Sequence, residues 1–94
     1  MNPILKIHEK DNVGTCLRLL EAGEVVHWES FSLIVREEIP QYHKIALADI
    51  SLHSPIYKYG QIIGLATQKI SQGEYVHVHN IESIRGRGDK KEEC

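Results

Sequence analysis

Short aliphatic runs separated by turn signals extend along the whole chain, and helical periodicity is weak throughout. Read as half-buried strands, the runs predict β-structure at about 4–8, 13–20, 24–28, 31–36, 43–48, 61–67 and 74–79. Residues 13–20 also read as two helical turns, because Leu17, Leu19 and Leu20 fit either period poorly. The clearest alternation is Tyr75-Val76-His77-Val78-His79. On a strand it directs Val76 and Val78 to one face, and Tyr75, His77 and His79 to the other.

A second pattern recurs at longer range: an aliphatic residue, a turn, and another aliphatic residue six positions on. It appears as Leu20…Val26, Ile39…Ile45, Ile50…Ile56 and Ile70…Val76, across Ala22-Gly23, Pro40-Gln41, His53-Ser54-Pro55 and Gln72-Gly73 respectively. Strands re-entering a core through tight turns produce such a pattern. Small all-β domains also show it with no deeper regularity, and the sequence leaves both readings open. The units start 19, 11 and 20 residues apart, too irregular for a solenoid.

Composition narrows the class. The 94 residues suit one domain, with 41% apolar and 26% charged residues and a mean hydropathy of −0.30. No apolar run approaches the ~20 residues of a membrane span. The opening Met1-Asn2-Pro3-Ile4 lacks the basic-then-apolar layout of a signal peptide, so a cytoplasmic address and no membrane partner are expected. The formal net charge of −2 argues against a nucleic-acid partner. A domain this small holds a modest core but no deep, walled active site. In catalysis it is expected to supply part of a site that another chain completes. The domain is expected over 1–84, with a flexible charged tail over 85–94 in which Arg85 and Arg87 can clamp an acidic surface. Cys16 and Cys94 have no zinc-ligand spacing, and no disulfide is expected between them in a reducing compartment.

Six histidines are the compositional outlier. On a strand, His77 and His79 lie roughly 6.5–7 Å apart at Cα, where two imidazoles can converge on one metal ion or simply stand half-exposed. Asn80 beside them can orient a ligand or bond the strand end. His43-Lys44, after a turn and before Ile45-Ala46-Leu47-Ala48, can bind a carboxylate or lie on a solvated face. Lys58-Tyr59-Gly60 marks another turn, with Gly60 free to take positive φ. Asp11 or Asn12, shortly after His8, can cap a turn, and His27 and His53 read as surface residues. Gly-x-Ser-x-Gly, Walker and Gly-x-Gly-x-x-Gly signatures are absent.

Four blocks occur in order: Lys6-Ile7-His8-x-x-Asp11-Asn12-Val13; Ile39-Pro40-x-x-His43-Lys44-x-Ala46-Leu47-x-Asp49-Ile50; Ile56-x-Lys58-Tyr59-Gly60-x-x-Ile63-Gly64; and Gly73-Glu74-x-Val76-His77-Val78-His79-Asn80. Together, over about residues 4–88, they resemble the small SAF domain of the altronate/galactarate dehydratase family. The resemblance implies an all-β fold, a compact single-domain β-clip of the antifreeze-like kind. It implies a small subunit or N-terminal-type domain of a sugar-acid dehydratase, a hydro-lyase, acting with a large catalytic subunit, with a homo-oligomer as a further partner option. Sulfolactate sulfo-lyase uses a similar small subunit, and a non-catalytic carbohydrate-binding or assembly module is the further alternative. The implied catalytic groups are His43, His77 and His79, and the implied substrate binders are Lys44, Lys58 and Asn80. The implied cofactor is a divalent metal, Fe(2+) or Mn(2+), shared with the large subunit and held here by His77 and His79. Tyr42 stands where the family usually has glycine before the His-Lys pair.

Overall fold

The computed structural model describes residues 2–28 and 31–83. The expected tail, with Arg85, Arg87 and Cys94, lies outside the described residues. Among those described there is no helix, and the fold is all-β, as expected. No helix long and apolar enough to cross a membrane occurs among them.

Among the described residues, nine short strands form three antiparallel sheets. The largest has the order β1 (Ile4–Leu5), β2 (Val13–Cys16), β5 (Lys44–Ala46), β8 (Tyr75–Val76). A hairpin of β3 (Val25–Trp28) and β4 (Phe31–Ile34) forms the second. In the third, β7 (Gln61–Ala66) lies between β6 (Pro55–Lys58) and β9 (Ile81–Ser83). Strands β6 and β9 were not expected from the sequence. Pro55 opens β6 at a position where its missing N–H does no harm, but the same proline reads as a breaker in sequence. Residues 13–20 resolve into β2 followed by a bend, with Leu17 and Leu19 exposed, so neither the long strand nor the helical reading holds.

The six-residue pattern is structural. Leu20, Ile39, Ile50 and Ile70 are buried, and they pair as isolated antiparallel bridges, Leu20 with Ile39 and Ile50 with Ile70. Each is followed by a four-residue turn closed by a backbone bond: Glu24 N–H to Glu21 O, His43 N–H to Pro40 O, Ser54 N–H to Ser51 O, and Glu74 N–H to Ser71 O. The third residue of every turn has positive φ: Gly23 at 92°, Tyr42 at 69°, His53 at 69° and Gly73 at 90°. That is the type II requirement. The N–H of each third residue then donates to a carbonyl elsewhere in the fold, at Val35, Cys16, Ala66 and Ala46 respectively. Each turn delivers its next aliphatic residue, Val26, Ile45, Ile56 or Val76, into the core. Two of the four turns accept a non-glycine residue at the strained position, which hides the repeat from any search for glycines.

Strand alternation on β5 divides the core. Ile45 joins one buried cluster, with Ile4, Leu20 and Ile39, while Ala46 joins the other, with Ile50, Ile56 and Ile70. Full burial of an aliphatic side chain of this size contributes about 1.5–3 kcal/mol. Cys16 lies in the first cluster as a free thiol, and burial pushes its pKa up to about 12, so it stays protonated and inert at neutral pH.

Candidate functional site

The register of β5 on β8 assembles the site. Lys44 pairs with Val76 and Ile45 with Tyr75. Continued by one residue, that register sets His43 opposite His77, and their rings lie 5.1 Å apart. Tyr75 belongs to the same group. Its ring stacks on His77 at 5.4 Å with planes 7° apart, and lies 5.6 Å from His79. Its hydroxyl is 2.5 Å from His43 Nδ1.

The backbone here departs from the expected strand. Chain direction changes at His77, because the Asn80 side chain accepts the His77 N–H at 2.9 Å and donates to Tyr75 O at 2.7 Å. The Asn80 N–H closes the turn on His77 O at 3.1 Å. Residues 77–80 are thus a turn, and Val78 is 78% exposed instead of facing the core with Val76. Asn80 is buried, and both ends of its amide hold the turn. Asn80, expected as a substrate binder, is thus also the residue that holds this turn. Sequence alone offered this signal only as an asparagine at a strand end.

Lys44 alternates to the other face of β5, on the side of Ala46, and there it meets Lys58. Burial first, and Lys58 second, hold the Lys44 ammonium below the ordinary lysine range. His77 is held below the usual imidazole range by desolvation, followed by His43, Lys44 and His79. His77 thus feels the charges of His43, Lys44 and His79, and Lys44 that of Lys58, across the two faces of β5. Arg18 and Glu24, elsewhere in the fold, form an ion pair at 2.9 Å. Lys58 rests its ammonium 5.0 Å from the centre of the Tyr59 ring.

Asp11 and Asn12 fix the Lys58 hairpin in place. Asp11 is buried and accepts N–H bonds from His8 and Tyr59 at 3.1 Å and from Gly60 at 2.8 Å. Burial by itself raises the carboxyl's pKa, but N–H donors from Gly60, His8, Tyr59 and Ile7 outweigh it and hold Asp11 below the ordinary aspartate value. Asn12 donates to Pro55 O and accepts from Tyr57 N–H. At Gly60, φ is 74° and an added Cβ would come within 2.9 Å of the His8 ring. The capping role expected of Asp11 or Asn12 is real but long-range, reaching a hairpin more than forty residues away. No local spacing reveals that, nor the part played by Tyr75.

Among the described residues, no three His, Cys, Asp or Glu side chains are placed to hold a metal ion. His77 and His79 belong to a turn and not to alternate positions of a strand, so they are not related by strand alternation as expected. A cleft of about 210 Å³ lined by Asn2, Pro3, Leu17 and Arg18 includes none of the site residues.

Fold and site together define a small all-β domain in which the register of β5 on β8 groups His43, Tyr75 and His77 beside Lys44. The chain belongs to the SAF domain family of altronate/galactarate dehydratases, whose family model matches residues 2–84. It is 45% identical to altronate dehydratase of Bacillus subtilis over 88% of this chain and 17% of that protein. It is 38% identical to galactarate dehydratase (L-threo-forming) of Escherichia coli over 77% of this chain and 14% of that one. Against (2R)-sulfolactate sulfo-lyase subunit alpha of Chromohalobacter salexigens it is 43% identical, over 84% of this chain and 93% of that subunit. The chain thus spans under a fifth of the dehydratases and nearly all of the sulfo-lyase subunit.

Proposed function

We propose that this domain is the anion-binding part of a hydro-lyase acting on sugar acids, and that its site is completed by a large catalytic chain. The observation that carries the reading is the edge formed by Lys44, Lys58, His43, His77 and His79, in which Lys44 keeps a lowered pKa beside a second lysine. Such an edge suits the carboxylate of a sugar acid.

Dehydration of a 2,3-dihydroxy acid removes the proton beside the carboxylate and expels the neighbouring hydroxyl, and the enol then becomes a 2-keto-3-deoxy acid. Negative charge grows on the carboxylate oxygens as the proton leaves. Lys44 and Lys58 stabilise that charge by position alone. His43 and His77 are the groups within reach of proton transfer. A divalent ion, implied by the family, would be shared with the large chain, with His77 and His79 as the ligands this domain would offer, and would supply charge stabilisation to the developing enediolate.

A second reading has its own support. The near-complete coverage of a sulfo-lyase subunit favours a role as a separate small subunit, with sulfite as the leaving group. The test is to mix the full chain with the remainder of the enzyme and assay altronate, galactarate and sulfolactate. A 2-keto-3-deoxy acid supports the first reading, and sulfite supports the second. Equal turnover with and without this chain would leave it a non-catalytic module.

A further inference from the structure

The hydroxyl of Tyr75 lies 2.5 Å from Nδ1 of His43, while the same ring stacks flat on His77. We infer that Tyr75 is a positioning residue that fixes His43 as the Nε2–H tautomer, so that neutral His43 presents a hydrogen-bond donor to the substrate. This rests on the reading of the edge as a sugar-acid site, and it assigns His43 a particular task within it.

The argument is one of donor inventory. A phenol donates readily and is a far weaker base than imidazole, whereas a neutral imidazole has one donor and one acceptor nitrogen. With Tyr75 Oη–H donating to Nδ1, the ring proton belongs on Nε2. That nitrogen lies across the ring from Tyr75 and makes no hydrogen bond among the described residues. Three features keep the arrangement in place. The Tyr75 ring packs against the Ile45 cluster, the His43 carbonyl accepts the Cys16 N–H at 2.9 Å, and the Tyr75 N–H bonds Glu37 at 3.0 Å. The backbones of both residues and the Tyr75 ring are therefore held in register for this contact. A preset N–H donor beside two ammonium groups suits an oxygen that gains negative charge during the reaction, such as an enediolate or carboxylate oxygen. It does not suit abstraction of the carbon-bound proton, for which the exposed nitrogen would have to be unprotonated. His77, whose side chain makes no hydrogen bond among the described residues and whose basicity is depressed, keeps that option open.

The test uses the full chain labelled with nitrogen-15. Long-range proton–nitrogen spectra of the imidazole rings, taken where His43 is neutral, read its tautomer directly and need neither substrate nor partner. The expected result is the Nε2–H form in the unaltered chain and a mixture of tautomers in Tyr75→Phe, which keeps the ring and its packing. An Nδ1–H form in the unaltered chain, or an unchanged tautomer in Tyr75→Phe, would overturn the inference. In the assembled enzyme Tyr75→Phe should lower kcat roughly tenfold to a hundredfold with little change in KM. Full turnover with an altered tautomer would also overturn it. An assembly inactive on every sugar acid, with the tautomer as stated, counts against the functional reading instead.

Discussion

Lys44, half-buried at the start of β5, stands close enough to Lys58 to feel its charge, and burial first and Lys58 second hold its pKa below the ordinary lysine range. A fold keeps two ammonium groups together when something outside it supplies the countercharge. Replacing Lys58 with Gln should move the Lys44 pKa back up, as followed by side-chain NMR titration. The linkage has a definite sign. Because Lys44 is harder to protonate folded than unfolded, its cost is present in full below its folded pKa. Stability therefore rises as pH climbs from that value toward 10.5, and the rise should shrink in Lys58→Gln.

Asp11 behaves oppositely. Its carboxylate is easier to keep ionised in the fold than in the unfolded chain, so its contribution is complete above 3.8 and fades as pH falls through the lower folded value. Asp11→Ala strands N–H groups from His8, Tyr59 and Gly60, and should cost about 1–3 kcal/mol in denaturant unfolding at neutral pH. It should also weaken whatever Lys58 binds, because the hairpin loses its anchor.

Asn80 and His79 are adjacent in sequence yet should separate cleanly on mutation. Asn80 is buried with two side-chain bonds, and Asn80→Ala should cost roughly 1–3 kcal/mol. His79 is exposed, and His79→Ala should stay within about 0.5 kcal/mol of the parent. Chemical unfolding of the two variants makes the comparison.

The four turns give a graded test of the repeat. Gly73→Ala brings a Cβ onto the Ile34 carbonyl oxygen as well as straining φ, whereas at Gly23 nothing lies within 4 Å and only the φ cost remains. Gly23→Ala should cost about 1 kcal/mol, and Gly73→Ala distinctly more. Tyr42→Gly removes left-handed strain from an exposed residue at φ 69°, and should raise stability by up to about 1 kcal/mol. Loss of activity alongside that gain would mark Tyr42 as strain retained for function.

The all-β class and most strand positions were legible because aliphatic runs such as Ile45-Ala46-Leu47 and Ile62-Ile63 stand out between turn residues. The six-residue spacing was legible too, and it proves to be the signature of the bridge-and-turn unit. What escaped were features set by partners distant in sequence. Strand β6 depends on Asn12 bonding Pro55 and Tyr57, and β9 on pairing with β7. The His77–Asn80 segment alternates like a strand, but one asparagine side chain captures the His77 N–H and turns the chain. His43, Lys44 and His77 were legible as candidate chemistry. The meeting of His43 with His77 was not, because it follows from the register of β5 on β8.

The most direct test of the anion-binding edge is an amide and side-chain NMR titration of the full chain with galactarate, run beside galactitol, its uncharged polyol counterpart. The account predicts shifts confined to His43, Lys44, Lys58, His77 and their neighbours. It also predicts that these shifts are lost in the Lys44→Gln, Lys58→Gln double variant and absent with galactitol. Shifts that survive the double variant, that galactitol reproduces, or that centre on the Pro3–Arg18 cleft would contradict it.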